Sequence, residues 1–199
     1  RQFFDEPRFR PSPLTTVRLA GGLLGRKTGQ GFYAYVDGKK QVAPEAPPPA
    51  VERMPEVWVS PARPEGRAAV VELLERLGAQ VQQGDRPGDD ALIVVTPLGE
   101  DATTAACEQG LDARRTVAVD ILHGLPEGRR RTLMATPLTA QAWRDAAVAR
   151  FSSDGAPVTL VQDSPGFVAQ RIVATIVNIA CDIAQQGIAT PEDIDRAVA

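Results

Sequence analysis

Histidine is almost missing from this 199-residue chain. His123 is the only one, and two cysteines, Cys107 and Cys181, accompany it. That excludes an ordinary Cys/His zinc site built from this chain alone, and no metal is expected. The two thiols lie far apart in sequence. They read as reduced, small, buried side chains on helices and not as a disulfide, which points to a cytoplasmic setting. A basic block is missing as well, and the net charge is −3, so neither nucleic acid nor a membrane surface is expected as a partner. No apolar run follows a basic segment in the manner of a signal peptide. The apolar stretch from Phe167 to Ala184 is interrupted by Arg171, Asn178 and Asp182; it reads as a buried helix and not as a membrane span. Lys27 stands among glycines, but the G-x-x-x-x-G-K-S/T spacing is absent, which removes a nucleoside triphosphatase reading.

What is present is order along the chain. Pro44-Glu45-Ala46-Pro47-Pro48-Pro49-Ala50 predicts an extended, semi-rigid linker, because proline fixes φ and carries no donor. Before it, Asp37-Gly38 is a turn signal, and Phe32, Tyr33 and Tyr35 predict a small strand or packing against a preceding helix. After it, apolar strand-like runs alternate with helical periodicity. Strands are expected at Val57–Val59, Ala79–Val81, Ala91–Val95, Val117–Val119, Thr132–Met134 and Val158–Val161. Helices are expected at Arg67–Leu77, Glu100–Gly110 and Ala140–Phe151. The unbroken Ala91–Val95 run suits a strand covered on both faces. The alternation predicts an α/β fold, a Rossmann-like doubly wound parallel sheet. The last part is helical: Gly187 stops one helix and Thr190-Pro191-Glu192-Asp193 starts another.

Asp163-Ser164-Pro165-Gly166-Phe167-Val168-Ala169-Gln170-Arg171 resembles the junction between the nucleotide-binding and helical domains of the 3-hydroxyacyl-CoA dehydrogenases, which usually reads D-S/T-P-G-F-V/I-x-N-R. Leu24-Gly25-Arg26-Lys27-Thr28-Gly29-Gln30-Gly31-Phe32-Tyr33 resembles the closing segment of that family's helical domain, and Phe3 to Pro13 resembles its late region. The closing motif here precedes the junction. The resemblance therefore implies a tandem arrangement: 1–43 the tail of one helical domain, 44–54 a linker, 55–163 a degenerate Rossmann-like domain, and 164–199 the start of a second helical domain, the C-terminal section of a longer bacterial protein.

The resemblance implies an NAD-dependent oxidation of a 3-hydroxyacyl-CoA, such as 3-hydroxybutyryl-CoA, by the parent protein, with an acyl-CoA substrate and a homo-oligomeric state. In the family a His held by a Glu takes the hydroxyl proton, while a Ser and the junction Asn orient the substrate. This chain departs at each position. Leu133 stands where the His would be, no Ser follows Val119, and Gln170 replaces the Asn. The turn after the first strand, Ser60-Pro61-Ala62-Arg63-Pro64-Glu65-Gly66, has one glycine, two prolines without donors and an acid, where a pyrophosphate wants backbone N–H groups. No acid closes the second strand at Val81-Gln82-Gln83-Gly84, and Asp85 comes late. No NAD is expected on this section, whose role would be structural, dimerising or shaping an acyl-CoA site. Two alternatives stay open: an active module using His123, or a CoA-ligand module without turnover. His123 is either that base or a solvent-facing loop residue, and Arg129-Arg130-Arg131 is either a phosphate contact or a solvated lead-in to a strand.

Overall fold

Ser12 and Pro13 start the first helix, α1 (Pro13–Ala20). The Ser12 hydroxyl accepts the Leu14 N–H at 3.3 Å, and proline at the first helical position forfeits no helical bond. A hairpin follows, β1 (Tyr35–Val36) antiparallel to β2 (Lys39–Lys40). Asp37 and Gly38 both take positive φ, 50° and 72°, as a tight primed turn requires. Tyr35 enters the strand; Phe32 and Tyr33 precede it and each faces a cation. The Arg18 guanidinium lies 4.4 Å from the Phe32 ring and donates to the Gly31 carbonyl at 2.6 Å, and Lys40 Nζ lies 3.4 Å from the Tyr33 ring. These elements belong to one compact unit, Arg1–Ala46; a second spans Pro47–Ala199. A computed structural model describes residues 7, 10–42 and 44–198, so most of the resemblance at Phe3 to Phe9 lies outside the described residues.

The second unit holds a six-stranded sheet. Its strands are β3 (Val57–Val59), β4 (Val81–Gln82), β5 (Leu92–Val95), β6 (Thr116–Val119), β7 (Arg131–Ala135) and β8 (Val158–Gln162), ordered β4-β3-β5-β6-β7-β8. The first four in that order are parallel; β7 runs antiparallel to β6, and β8 parallel to β7. The mostly parallel α/β sheet expected from the alternation is present. It differs from an all-parallel one at a single step. Residues 120–130 return the chain through turns without a helix, and a parallel entry needs a longer crossover.

Strand alternation sorts the side chains into two cores. Val57, Val59, Leu92, Val94, Val117, Val119 and Leu133 pack with α2 (Pro64–Arg76) and α4 (Gln141–Phe151). Trp58, Ile93, Val95, Ala118 and Met134 face the other way, onto α3 (Ala102–Glu108) and the Phe167 ring. With both faces covered, every residue from Ala91 to Val95 is at most 1% exposed.

Two expectations need correction at the end of the chain. The long apolar helix, α5 (Val168–Gln185), is not buried: Gln170 is its one buried residue, and Ile176 is 53% exposed. Its apolar side chains cover a broad face beside a polar stripe of Arg171, Thr175, Asn178 and Asp182, and its one buried residue lies in the first turn. The cysteines do lie on helices, Cys107 on α3 and Cys181 on α5, yet both are exposed. On α3 the buried side is taken by Ala102, Ala105 and Ala106. The final helix, α6 (Pro191–Val198), begins as expected, with Thr190 Oγ1 accepting the Asp193 N–H at 3.2 Å. Among the described residues no helix is long and apolar enough to cross a membrane.

Candidate functional site

The chain leaves β3 toward one side of the sheet and β5 toward the other, so these neighbours form a topological switch point. In α/β sheets a ligand sits beyond the carboxyl ends of strands at such a point. Here those ends carry Ser60 and Thr96, both buried. The turn after β3 spends its groups on itself. Ser60 Oγ accepts the Ala62 N–H at 3.1 Å, and the Ser60 hydroxyl donates to Gln109 Oε1. Arg67 Nη1 donates to the Val59 carbonyl at 2.9 Å, covering the strand end. Pro61 and Pro64 offer no donor, and Glu65 brings negative charge into the first turn of α2. A Cβ on Gly66 would lie 2.2 Å from Thr96 Oγ1. That glycine therefore serves close packing of α2 on the end of β5. Toward β4, Gln82 bridges Glu56 (2.7 Å) and the Gly88 N–H (2.8 Å), Arg86 Nη1 reaches the Gln109 carbonyl at 2.6 Å, and Asp85 is exposed in a bend. This set does not fit the pyrophosphate and ribose of a dinucleotide.

The junction of residues 163–170 grips the loop after β5. Asp163 Oδ1 accepts the Ala102 N–H at 2.8 Å, and its other oxygen accepts the Thr103 hydroxyl. With Asp101 Oδ1 on the Thr104 N–H at 2.6 Å, two carboxylates face the positive end of α3. The Gly166 N–H donates to the Glu100 carbonyl at 3.1 Å. Phe167 holds φ 44° and ψ −164° with its ring buried; for a non-glycine residue that conformation costs about 1–3 kcal/mol. One turn on, Gln170 is 7% exposed. Its Oε1 accepts the Gly99 N–H at 2.8 Å, and its Nε2 donates to Asp120 Oδ1 at 2.9 Å and to the Pro97 carbonyl at 3.4 Å. Both ends of the amide are engaged within the protein.

The remaining sequence candidates are dispersed. Leu133 is fully buried among the α2 and α4 side chains. His123 is exposed in the turn Ile121–Gly124. The arginine cluster is divided, with Arg129 and Arg130 exposed and Arg131 buried. Arg131 points inward, its Nη1 and Nη2 donating to the two carboxylate oxygens of Asp154 at 2.7 and 2.6 Å and Nη1 also to the Phe151 carbonyl at 2.5 Å, while Arg130 donates to Thr159 at 2.9 Å. The Arg131 guanidinium, bonded to the Asp154 carboxyl, holds it down at about 2. Sequence reasoning missed Asp120 and Asp154, which belong to no motif; Asp163 lay in the quoted junction, but its capping of α3 depends on a contact across the fold. Among the described residues no group of three or more His, Cys, Asp or Glu side chains could hold a metal.

Fold and junction together define an α/β dehydrogenase-like unit leading into a helical segment. A family model described as 3-hydroxyacyl-CoA dehydrogenase, C-terminal domain, matches residues 166–199. The 3-hydroxyadipyl-CoA dehydrogenase of Escherichia coli K12 is 28% identical over 197 residues, which is 98% of this chain and 35% of that protein. A Deinococcus radiodurans protein named as a probable 3-hydroxybutyryl-CoA dehydrogenase is 50% identical over 34 residues, 17% of this chain and 12% of that one. The crystal structure of the Escherichia coli K12 3-hydroxybutyryl-CoA dehydrogenase matches 98% of this chain and 35% of its own, with a TM-score of 0.63 at 23% identity, and so shares the fold. Residues 166–199 thus match the C-terminal domain of the 3-hydroxyacyl-CoA dehydrogenases, and nearly the whole chain is similar to a dehydrogenase of that kind. The chain spans at most about a third of the length of the curated relatives it matches.

Proposed function

We propose that this chain is a section of a longer, tandem, NAD-dependent 3-hydroxyacyl-CoA dehydrogenase, acting on a substrate such as 3-hydroxybutyryl-CoA in the cytoplasm, and that the Pro47–Ala199 unit is its non-catalytic part. Its task is to position helical segments for a homo-oligomer and for the acyl-CoA site of an active module elsewhere in the protein. The observation that carries this reading is Gln170. The amide at the family's substrate-orienting position is buried and bonded to Gly99, Pro97 and Asp120. Both Nε2 hydrogens are committed within the protein, so this buried amide has no donor left to orient a substrate. Leu133, buried in the core at the position of the family base, supports the same reading.

The test is calorimetric titration of the chain with NAD, together with an assay of 3-hydroxybutyryl-CoA oxidation. Neither saturable binding in the micromolar range nor turnover is expected. A micromolar NAD isotherm, or turnover abolished by His123→Ala, overturns the reading.

A further inference from the structure

Nearly all polar ties between the junction into α5 and the sheet converge on one loop and one neighbouring side chain; the exception is the Ser164 N–H, which donates to Met134 Sδ at 3.4 Å. Asp163 holds Ala102 and Thr103, Gly166 holds Glu100, and Gln170 holds Pro97 and Gly99. All of these lie in residues 97–103, directly after the central strand. Asp120, at the end of β6, closes the set by accepting both the Gln170 amide and the Leu122 N–H at 3.1 Å. Beyond Gln170, α5 has no buried residue. The direction of an eighteen-residue helix is thus set by its first turn.

The backbone at this joint is held away from its relaxed state. Gly166 has φ 78° and Phe167 φ 44°, the second in a region that a phenylalanine leaves unless its surroundings hold it. Two grips hold it. The ring is buried in the cluster that holds Trp58, Ile93, Val95 and Met134, and Gln170 fastens the helix one turn further on. A shorter amide at 170 would fall one methylene short of the Gly99, Pro97 and Asp120 groups as they now stand.

We propose that residues 163–170 form a lock, with Gln170 as its latch, which fixes α5 in one direction relative to the sheet where a strained joint would otherwise act as a hinge. This deepens, and rests on, the reading of the unit as a positioning element. Released from the latch, Phe167 relaxes toward ordinary backbone angles and α5–α6 swings as an arm.

The two native cysteines make the test direct. Cys107 lies on α3, which belongs to the gripped side, and Cys181 lies near the far end of α5; both are exposed. Spin labels on both, diluted with unlabelled full chain so that only intramolecular pairs count, read the helix direction as a distance distribution. The wild-type chain should give one narrow distance. Gln170→Ala and Gln170→Asn should broaden it or add a second population. Arg171→Ala, which removes only an exposed bond to Ser164 at 2.6 Å, should leave it unchanged. Hydrogen exchange gives a second readout: the Gly99 amide should exchange about tenfold faster in Gln170→Ala, the change that loss of one net hydrogen bond supports. If Gln170→Ala does not fold, Asp120→Ala removes one acceptor of the latch and should broaden the distribution in the same direction. A broad distribution in the wild-type chain, or unchanged distances and Gly99 protection in the variants, overturns the lock. NAD binding with a narrow distance would overturn the non-catalytic reading and leave the lock standing; a broad distance without NAD binding would do the reverse.

Discussion

Replacing Asp154 with alanine should destabilise the Pro47–Ala199 unit by about 2–4 kcal/mol at pH 7. The Arg131 side chain is 1% exposed and that of Asp154 is 27% exposed. Removing one partner of a buried ion pair costs about 3–5 kcal/mol, because the survivor keeps an uncompensated charge. A somewhat smaller cost, about 2–4 kcal/mol, applies here, since Arg131 retains the Phe151 carbonyl and Asp154 is partly hydrated. The pH dependence gives an independent measure. The carboxyl falls from 3.8 to about 2, chiefly through the Arg131 hydrogen bond, which corresponds to about 2 kcal/mol of titrating stability. A depressed folded-state pKa stabilises above the unfolded value and loses that stabilisation as pH falls through the folded one. The gap between wild type and Asp154→Ala should therefore be full at pH 7, about halved in its titrating part by pH 3, and smallest near pH 2. Urea unfolding followed by tryptophan fluorescence measures it, with buried Trp58 as the reporter. Adding Arg131→Met to Asp154→Ala should recover much of the loss, because the stranded charge is gone. A gap under about 1 kcal/mol at pH 7, or one that does not change down to pH 3, would refute the argument.

Two other perturbations follow from the geometry. Gly66→Ala should cost about 1–3 kcal/mol, since its Cβ would overlap Thr96, and Thr96→Ala in the same chain should restore only part of it, because the Cβ at position 96 would still lie 2.8 Å away; equal melting temperatures for the single variant and wild type would contradict the close packing. The exposed side chains Ile172, Ile176 and Val177 on α5 should drive self-association at tens of micromolar, since burying a large aliphatic side chain is worth roughly 1.5–3 kcal/mol. Sedimentation should then show a dimer that Ile176→Glu dissolves, and a monomer in the wild type would remove α5 as the interface.

Apolar periodicity was enough to locate the sheet. Val57–Val59 and Ala91–Val95 read as strands from their own side chains, and each strand of the six-stranded sheet overlaps its expected position. Direction was harder. Nothing local in Arg131–Ala135 says that it enters antiparallel; that follows from the short helix-free return before it, whose length only the sheet makes meaningful. The burial of α5 was misjudged for a related reason. An apolar helix announces that it needs cover, but its sequence does not state what is present to give it. At the candidate site, the substitutions at Leu133 and Gln170 were visible in the motif. Their consequences were not, because the Gln170 partners lie about 50 to 73 residues away in the chain. Arg131 misled most: in a run of three arginines nothing marks the one whose strand position turns it inward toward Asp154.

The central strand carries a hazard of its own before the fold exists. Leu92-Ile93-Val94-Val95 has high strand propensity, no charge and no polar alternation, the composition that stacks into intermolecular sheets when exposed. Its safe partners, β3 and β6, come from either side in sequence and must both arrive to cover its edges. Asp89 and Asp90 stand immediately before the run and Pro97 just after it. Charge and a missing donor at the two ends are the means by which natural chains discourage such stacking. Neutralising that acidic pair would leave the native sheet intact, since both side chains are exposed in it, and the damage would appear during synthesis and refolding, as protein lost to inclusion bodies.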